Sequence, residues 1–259
     1  MNIALALPGA LFVGFSLGMF GSGGSILTVP ILVYLLGQEE KVAIASSLAI
    51  VGLVAMSGSL PYIRDRLVHW RTVALFGIPG VAGTWLGAWS SAFVTGTVQL
   101  MTFAVVMLLA SYMMLRPPRV DERVPDSGER AFYKIAADGL VVGVLTGFVG
   151  VGGGFLIVPA LVLLGGLTMQ RAIATSLVII TLKSLAGYIK YTDVLAREGL
   201  EPNLAIIGFF ALAGVVGSLG GNAVACRLPQ ENLKRGFAIF LIVMGIFILA
   251  KSTLAQGAP

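Results

Sequence analysis

The stretch GMFGSGGSILTVP (18–30) returns 129 residues later as GFVGVGGGFLIVP (147–159). In one ungapped frame the first copy matches the second at Gly18, Gly21, Gly23, Gly24, Leu27, Val29 and Pro30, then at Leu32, Val33, Leu35 and Gly37. The frame persists through AIASSL (43–48) against AIATSL (172–177), Gly58 against Gly187 and Tyr62 against Tyr191. Two stretches alike only in being apolar would not hold glycines, prolines and serines in register, so the chain is an internal duplication. Further on, LFGIPGVAG (75–83) resembles IIGFFALAG (206–214) after a slip of two residues.

The surroundings of these glycines are apolar. Hydrophobic residues make up 57% of the chain and charged ones 11%, against about 25% charged in soluble domains. This is the composition of a membrane protein. Ten apolar segments follow, at 3–20, 24–37, 42–60, 72–93, 97–115, 134–150, 154–166, 172–191, 203–225 and 233–251. Most approach the ~20 residues a helix needs to cross the hydrocarbon, but 24–37 and 154–166 fall short. No Lys or Arg precedes Lys41, so residues 1–20 read as a retained helix and not as a secretory signal.

Alternate loops differ in charge. One side carries twelve basic residues, among them Arg64, Arg66, Arg71, Arg171, Arg227, Lys234 and Arg235; the other has Lys41, Lys190, Arg197 and Lys251. The basic side is expected in the cytoplasm, with both termini outside. The proline- and charge-rich run 116–133 reads as a cytoplasmic linker between a first repeat, 1–115, and a second, 134–259. Each repeat holds five segments. Because five is odd, the second enters the membrane inverted, the arrangement of secondary transporters whose short or glycine-broken segments mark the binding site.

Glycine admits positive φ and close approach, and irregular backbone at membrane depth is tolerated where it lines a cavity or is buried in protein. The helix after each turn presents its first amides and the positive end of its dipole, which attract an anion. The candidate ligands are therefore Gly23, Gly24 and Ser25 in the first copy and Gly152, Gly153 and Gly154 in the second. The competing reading is close helix packing by small residues. No strand precedes either run and no Lys-Ser/Thr pair follows, which excludes a nucleotide loop. Ser46, Ser47, Thr175 and Ser176 add hydroxyls suited to substrate contact or to capping.

Lys183 lies inside an apolar segment, two helical turns from Ser176 on the same face, and an ionisable group at that depth is by default a functional group. Its repeat mate is Val54, so a site using it is chemically asymmetric. The opposing reading is a side chain snorkelling to the outer surface. His69 reads as a cytoplasmic surface residue. Trp70, Trp85, Trp89, Tyr62 and Tyr191 read as interfacial anchors or packing residues, Asp138 as a near-interface carboxylate, Asn222 as an interhelical hydrogen-bonder and Cys226 as packing. Nothing here has the form of a catalytic or metal-ligating constellation, so neither an enzyme nor a cofactor is expected.

The paired GSGGSILTVP and GVGGGFLIVP, each followed by AIASSL or AIATSL, resemble the sulfite exporter TauE/SafE family over residues 10–250. The resemblance implies a bacterial inner-membrane carrier that moves sulfite or organosulfonates such as sulfoacetate outward. It reaches Gly21, Gly23, Gly24, Pro30, Gly150, Gly152, Gly153 and Pro159 by position, and departs at Lys183, where the family often has an uncharged polar residue. The expected fold is all-α, and the expected function is alternating-access transport of a small sulfur-containing anion, with membrane lipid and no nucleic acid as surroundings. A homo-oligomer remains open, and a membrane scaffold or assembly factor without transport activity is the alternative.

Overall fold

The computed structural model describes residues 3–115, 132–149 and 154–256, and all regular structure among them is helical. In chain order the helices are α1 (Ile3–Phe20), α2 (Gly23–Pro30), α3 (Glu40–Arg64), α4 (Trp70–Thr72), α5 (Ile78–Ser91), α6 (Gly96–Leu115), α7 (Phe132–Val149), α8 (Gly154–Pro159), α9 (Met169–Arg197), α10 (Leu204–Ala225) and α11 (Gln230–Gln256). Among the described residues six stretches are long and apolar enough to cross a membrane: Glu40–Arg64, Trp70–Ser91, Gly96–Leu115, Met169–Arg197, Leu204–Ala225 and Glu231–Ala250. The linker 116–133 falls almost wholly outside the described residues.

Local structure repeats with the sequence. α1 and α7 begin and end 129 residues apart, and α3 and α9 begin 129 apart. α2 runs into a π-helical turn at Ile31–Leu35, and α8 into another at Ala160–Leu164. Each π turn starts directly after the proline, which cannot donate to the carbonyl four residues back, and the helix widens there. The bond from the Leu36 amide to the Ile31 carbonyl (3.2 Å) has its counterpart from Gly165 to Ala160 (3.0 Å). Both turns then end on a glycine of positive φ, Gly37 at 66° and Gly166 at 65°. The matched Gly37 and Gly166 in the sequence are thus stop signals.

The register changes later in the chain. α9 is 29 residues long and α3 is 25. The elements that follow are offset by 134 positions, with α6 starting at Gly96 and α11 at Gln230. The two-residue slip read from LFGIPGVAG and IIGFFALAG is therefore replaced in the packing by a five-residue one, in which Gly80, Gly83, Thr84 and Gly87 of α5 correspond to Gly214, Gly217, Ser218 and Gly221 of α10. Sequence similarity between apolar helices could not choose between frames a few residues apart; the carbonyls these glycines face do.

Those glycines assemble the molecule. In α1 and α10, Gly14 lies on Gly214 and Gly18 on Ser218, so closely that an added Cβ would stand 1.9 Å and 2.1 Å from the facing carbonyl oxygens. In α7 and α5, Gly143 lies on Gly80 and Gly147 on Thr84, with corresponding distances of 2.4 Å and 2.2 Å. Both pairs are parallel. Small residues one turn apart let backbones touch, the mode that binds helices where lipid removes the hydrophobic drive. Between the two seams α3 and α9 cross antiparallel, Gly52 lying against Ser184 and Leu185 while Gly187 lies against Leu48. These two helices are the most buried, and they are apolar almost all round, as a central helix must be. The periphery exposes Phe12, Trp85, Leu86, Leu212, Val216 and Ile246, the face expected toward lipid.

Candidate functional site

The site is built where α1 stops. Phe20 ends the helix, Gly21 turns the chain at φ 69°, and α2 begins at Gly23. Gly24 lies so close to the Leu17 side chain and the Val13 carbonyl that an added Cβ would be 2.7 Å from each, which lays α2 back along α1. Gly21 is required twice over. Its φ favours glycine, and a Cβ would meet the Ile173 Cα and the Ser176 Oγ at 2.9 Å.

The two glycine-rich ends meet at this point. A Cβ on Gly154 would lie 2.7 Å from the Cβ of Ser22 and 2.6 Å from Ile180 Cδ1. α2 and α8 thus start side by side against α9. Ser22 stands at the N-cap of α2 but makes no capping bond to its first amides. Ser176 reaches across from α9 and donates to the Gly21 carbonyl oxygen (3.1 Å), sharing its proton with the Ile173 carbonyl (2.8 Å).

The residues singled out in the sequence are distributed as follows. Gly154 and Ser176 come together with Gly21 and Ser22. Gly23, Gly24 and Ser25 form the first turn of α2 at the same junction. Gly152 and Gly153 lie outside the described residues. Ser47 donates to the Ile44 carbonyl (2.8 Å), the same bond that Ser176 makes to Ile173. Ser46 is fully buried and its hydroxyl has no hydrogen-bond partner. Thr175 is turned to another task, accepting a hydrogen bond from the backbone amide of His69 (3.1 Å).

Lys183 is wholly buried, which removes the snorkelling reading, and its ammonium has no hydrogen-bond partner. Its methylenes line Gly80, whose Cβ would come within 3.2 Å of Lys183 Cδ, and its Nζ lies 5.9 Å from the ring centroid of Phe76, at the outer limit of a cation–π contact. Phe76 belongs to a π-helical turn, Val73–Gly77, that opens α5. In the corresponding niche of the other half, Val54 packs against Gly214 beside buried Phe210. Valine fills that space with carbon alone. The lysine stem does the same work, and the ammonium is surplus to packing.

Several roles differ from expectation. Of the two roles expected for Tyr62 and Tyr191, packing is the one found, since both are buried. The Tyr191 hydroxyl lies 3.1 Å from the Gly147 carbonyl and 3.2 Å from that of Phe148, and Tyr62 makes the matching contact to Gly18 at 3.4 Å. Helix C-termini leave carbonyls without amide partners, and these hydroxyls serve them. Gln99, not singled out before, joins the second set. The only advance signal was that both tyrosines sit in the repeat frame. His69 caps α4 through Nδ1 and is tied to α9, so it is a part of the scaffold more than a surface residue. Asn222 accepts from Cys226 on its own helix end, at 3.4 Å, where an interhelical bond was expected. Cys226 is exposed.

The family described as sulfite exporter TauE/SafE matches residues 6–248. A probable membrane transporter protein of Xylella fastidiosa is 31% identical over 93% of this chain and 92% of its own length. Another from Bacillus subtilis is 30% identical over 74% of this chain and 78% of its own length, and one from Methanocaldococcus jannaschii is 24% identical over 95% and 96%. No solved structure matches the chain.

Proposed function

This chain belongs to the sulfite exporter TauE/SafE family, and from that premise we propose that it is a secondary transporter that exports small sulfur-containing anions, sulfite or organosulfonates, by alternating access. The observation that carries the reading is the meeting of Ser22 with Gly154, which brings the starts of two repeat-related short helices to one point against α9. Helix starts so placed offer amides and positive dipole ends to an anion. The hydroxyls of Ser47 and Ser176 would supply donors by turning from the carbonyls they now bond, with Ser46, Thr175, Gly23, Gly24, Ser25, Gly152, Gly153 and Gly154 completing the candidate lining. Lys183, one turn beyond Ile180 on the same face of α9, supplies positive charge.

We read the fold as ten segments in two inverted repeats, 1–115 and 134–259, joined by a cytoplasmic linker in a bacterial inner membrane, with both termini periplasmic. The antiparallel crossing of α3 and α9, which begin at equivalent positions, supports the inversion, since helices related by a two-fold axis in the membrane plane run oppositely. The exchange of partners, α1 with α10 and α7 with α5, supports it as well.

Counterflow in proteoliposomes tests the proposal. Labelled sulfite or sulfoacetate should exchange against internal unlabelled anion, and Lys183→Met should lower the flux roughly thirtyfold, the factor that ~2 kcal/mol from one charge-assisted hydrogen bond represents. If no sulfur-containing anion exchanges, the chain is a scaffold and not a carrier. Undiminished flux in Lys183→Met would remove the charge assignment alone.

A further inference from the structure

The inner ends of α1 and α7 stand at equivalent places in the two repeats, yet they are held by different forces. α7 ends in a hydrogen-bonded clamp. The Tyr191 hydroxyl lies within reach of the Gly147 and Phe148 carbonyls, at 3.1 and 3.2 Å, and accepts from Gln99 Nε2 (2.9 Å). The same Gln99 nitrogen donates to the Phe148 carbonyl (2.5 Å). This network fixes the orientation of the amide, because a flipped Gln99 would set its oxygen against a carbonyl. Tyr191 and Gln99 are both fully buried, so water does not compete for these bonds.

At the end of α1 the corresponding tyrosine, Tyr62, makes one contact to Gly18 at 3.4 Å, longer than a normal O–H···O bond. The position of α11 that corresponds to Gln99 is Leu233, buried and unable to donate. Just past the helix end Ser176 donates to the Gly21 carbonyl (3.1 Å), but the last turn of α1 itself is seated by Phe20, whose ring lies 5.5 Å from that of Phe237 and 5.8 Å from that of Phe240. Ring contacts of this kind are nearly indifferent to small sliding, whereas a hydrogen bond fades within a few tenths of an ångström and with angle.

We propose that Gln99 is a positioning residue which, acting through Tyr191, pins the inner end of α7, and that the inner end of α1 is the part that moves when the carrier changes state, releasing the Ser176–Gly21 bond as it does. The movement rests on the transport reading above; the unequal holding does not. The duplication began with two like halves. A stationary half and a moving half arise from one amide at Gln99 and its lack at Leu233.

Hydrogen–deuterium exchange of the full chain in lipid nanodiscs, without substrate, tests the holding. Gln99→Met should raise exchange of amides 143–149 about fivefold to tenfold, the factor one net hydrogen bond represents, and leave 14–20 unchanged. Leu233→Gln should slow exchange of 14–20. It should also lower the maximal rate of sulfite counterflow per folded carrier, with an unfolding midpoint no lower than wild type and an unchanged half-saturating concentration; a rate that falls only in proportion to lost folded protein overturns the movement. Where Leu233→Gln does not fold, Gln99→Met decides the clamp, and wild-type exchange with and without saturating sulfite decides the movement: 14–20 should change and 143–149 should not, and the reverse overturns it. The clamp is refuted if Gln99→Met leaves 143–149 at the wild-type rate, or raises both ends equally. A chain that shows the exchange contrast but no counterflow overturns the carrier and the movement, and keeps the clamp.

Discussion

Replacing Gly14 by alanine perturbs the seam on which the assembly of the two halves depends. The new Cβ would stand 1.9 Å from the Gly214 carbonyl oxygen and 2.6 Å from the Gly214 Cα, backbone atoms that no rotamer change can move aside. A carbon and a carbonyl oxygen settle at about 3.3 Å or more. The axes of α1 and α10 must therefore part by roughly 1 Å. Gly18, one turn on and equally tight against Ser218, would lose its contact in the same movement. Overpacking of this kind costs ~1–3 kcal/mol, and the shared seam places Gly14→Ala at the upper end. For a chain of this size that lowers the midpoint of thermal unfolding by on the order of 5–10 °C. Gly208→Ala is the control. It lies on α10, where an added Cβ meets nothing within 4 Å, and helix propensity favours alanine there by ~1 kcal/mol. Scanning fluorimetry of the purified proteins in one detergent gives both midpoints. Equal midpoints for the two variants would refute the packing argument, since only the facing backbone distinguishes them.

Lys183→Met should raise thermal stability by ~1–3 kcal/mol even as it lowers anion flux, because it removes a buried ammonium without a hydrogen-bond partner; a fall in the unfolding midpoint would show that the charge is compensated. Tyr191→Phe should destabilise by ~2 kcal/mol through the loss of a hydroxyl with three neighbours, and Tyr62→Phe by under ~0.5 kcal/mol, because its single contact is long; the order of the two midpoints checks this. Ser176→Ala should raise the half-saturating anion concentration about fivefold in counterflow, since Gly21 at the junction loses its donor, whereas Ser57→Ala, whose hydroxyl bonds Leu53 on an exposed face, should not.

Much of the architecture was legible because it is local. Pro30 and Pro159 stop a helix from donating wherever they stand, and Gly37 and Gly166 end one, so their common spacing announced two copies of one broken hairpin. The glycines around Gly21 mark a turn in the sequence, because glycine alone fits that φ with a neighbouring backbone so near. The site was less legible. Lys183 was found by its charge in an apolar run, but its neighbours Phe76 and Gly80 lie a hundred residues away on α5 and carry no mark of their own. Gln99 looked like one polar residue near a helix start, and its meaning came only from the Phe148 carbonyl and Tyr191.

By itself, then, the sequence determined the helices, their breaks, the duplication and the membrane environment, since backbone preference and hydropathy act within a few residues. Only the tertiary structure decided that α1 lies on α10 and α5 on α7, that the later helices answer to one another at 134 and not 131 positions, and that one inner end is clamped while the other rests on phenylalanine rings. Glycine, leucine and phenylalanine can pack in many registers at nearly equal energy. What separates those registers is which buried carbonyl finds a donor, and that depends on atoms far apart in the chain.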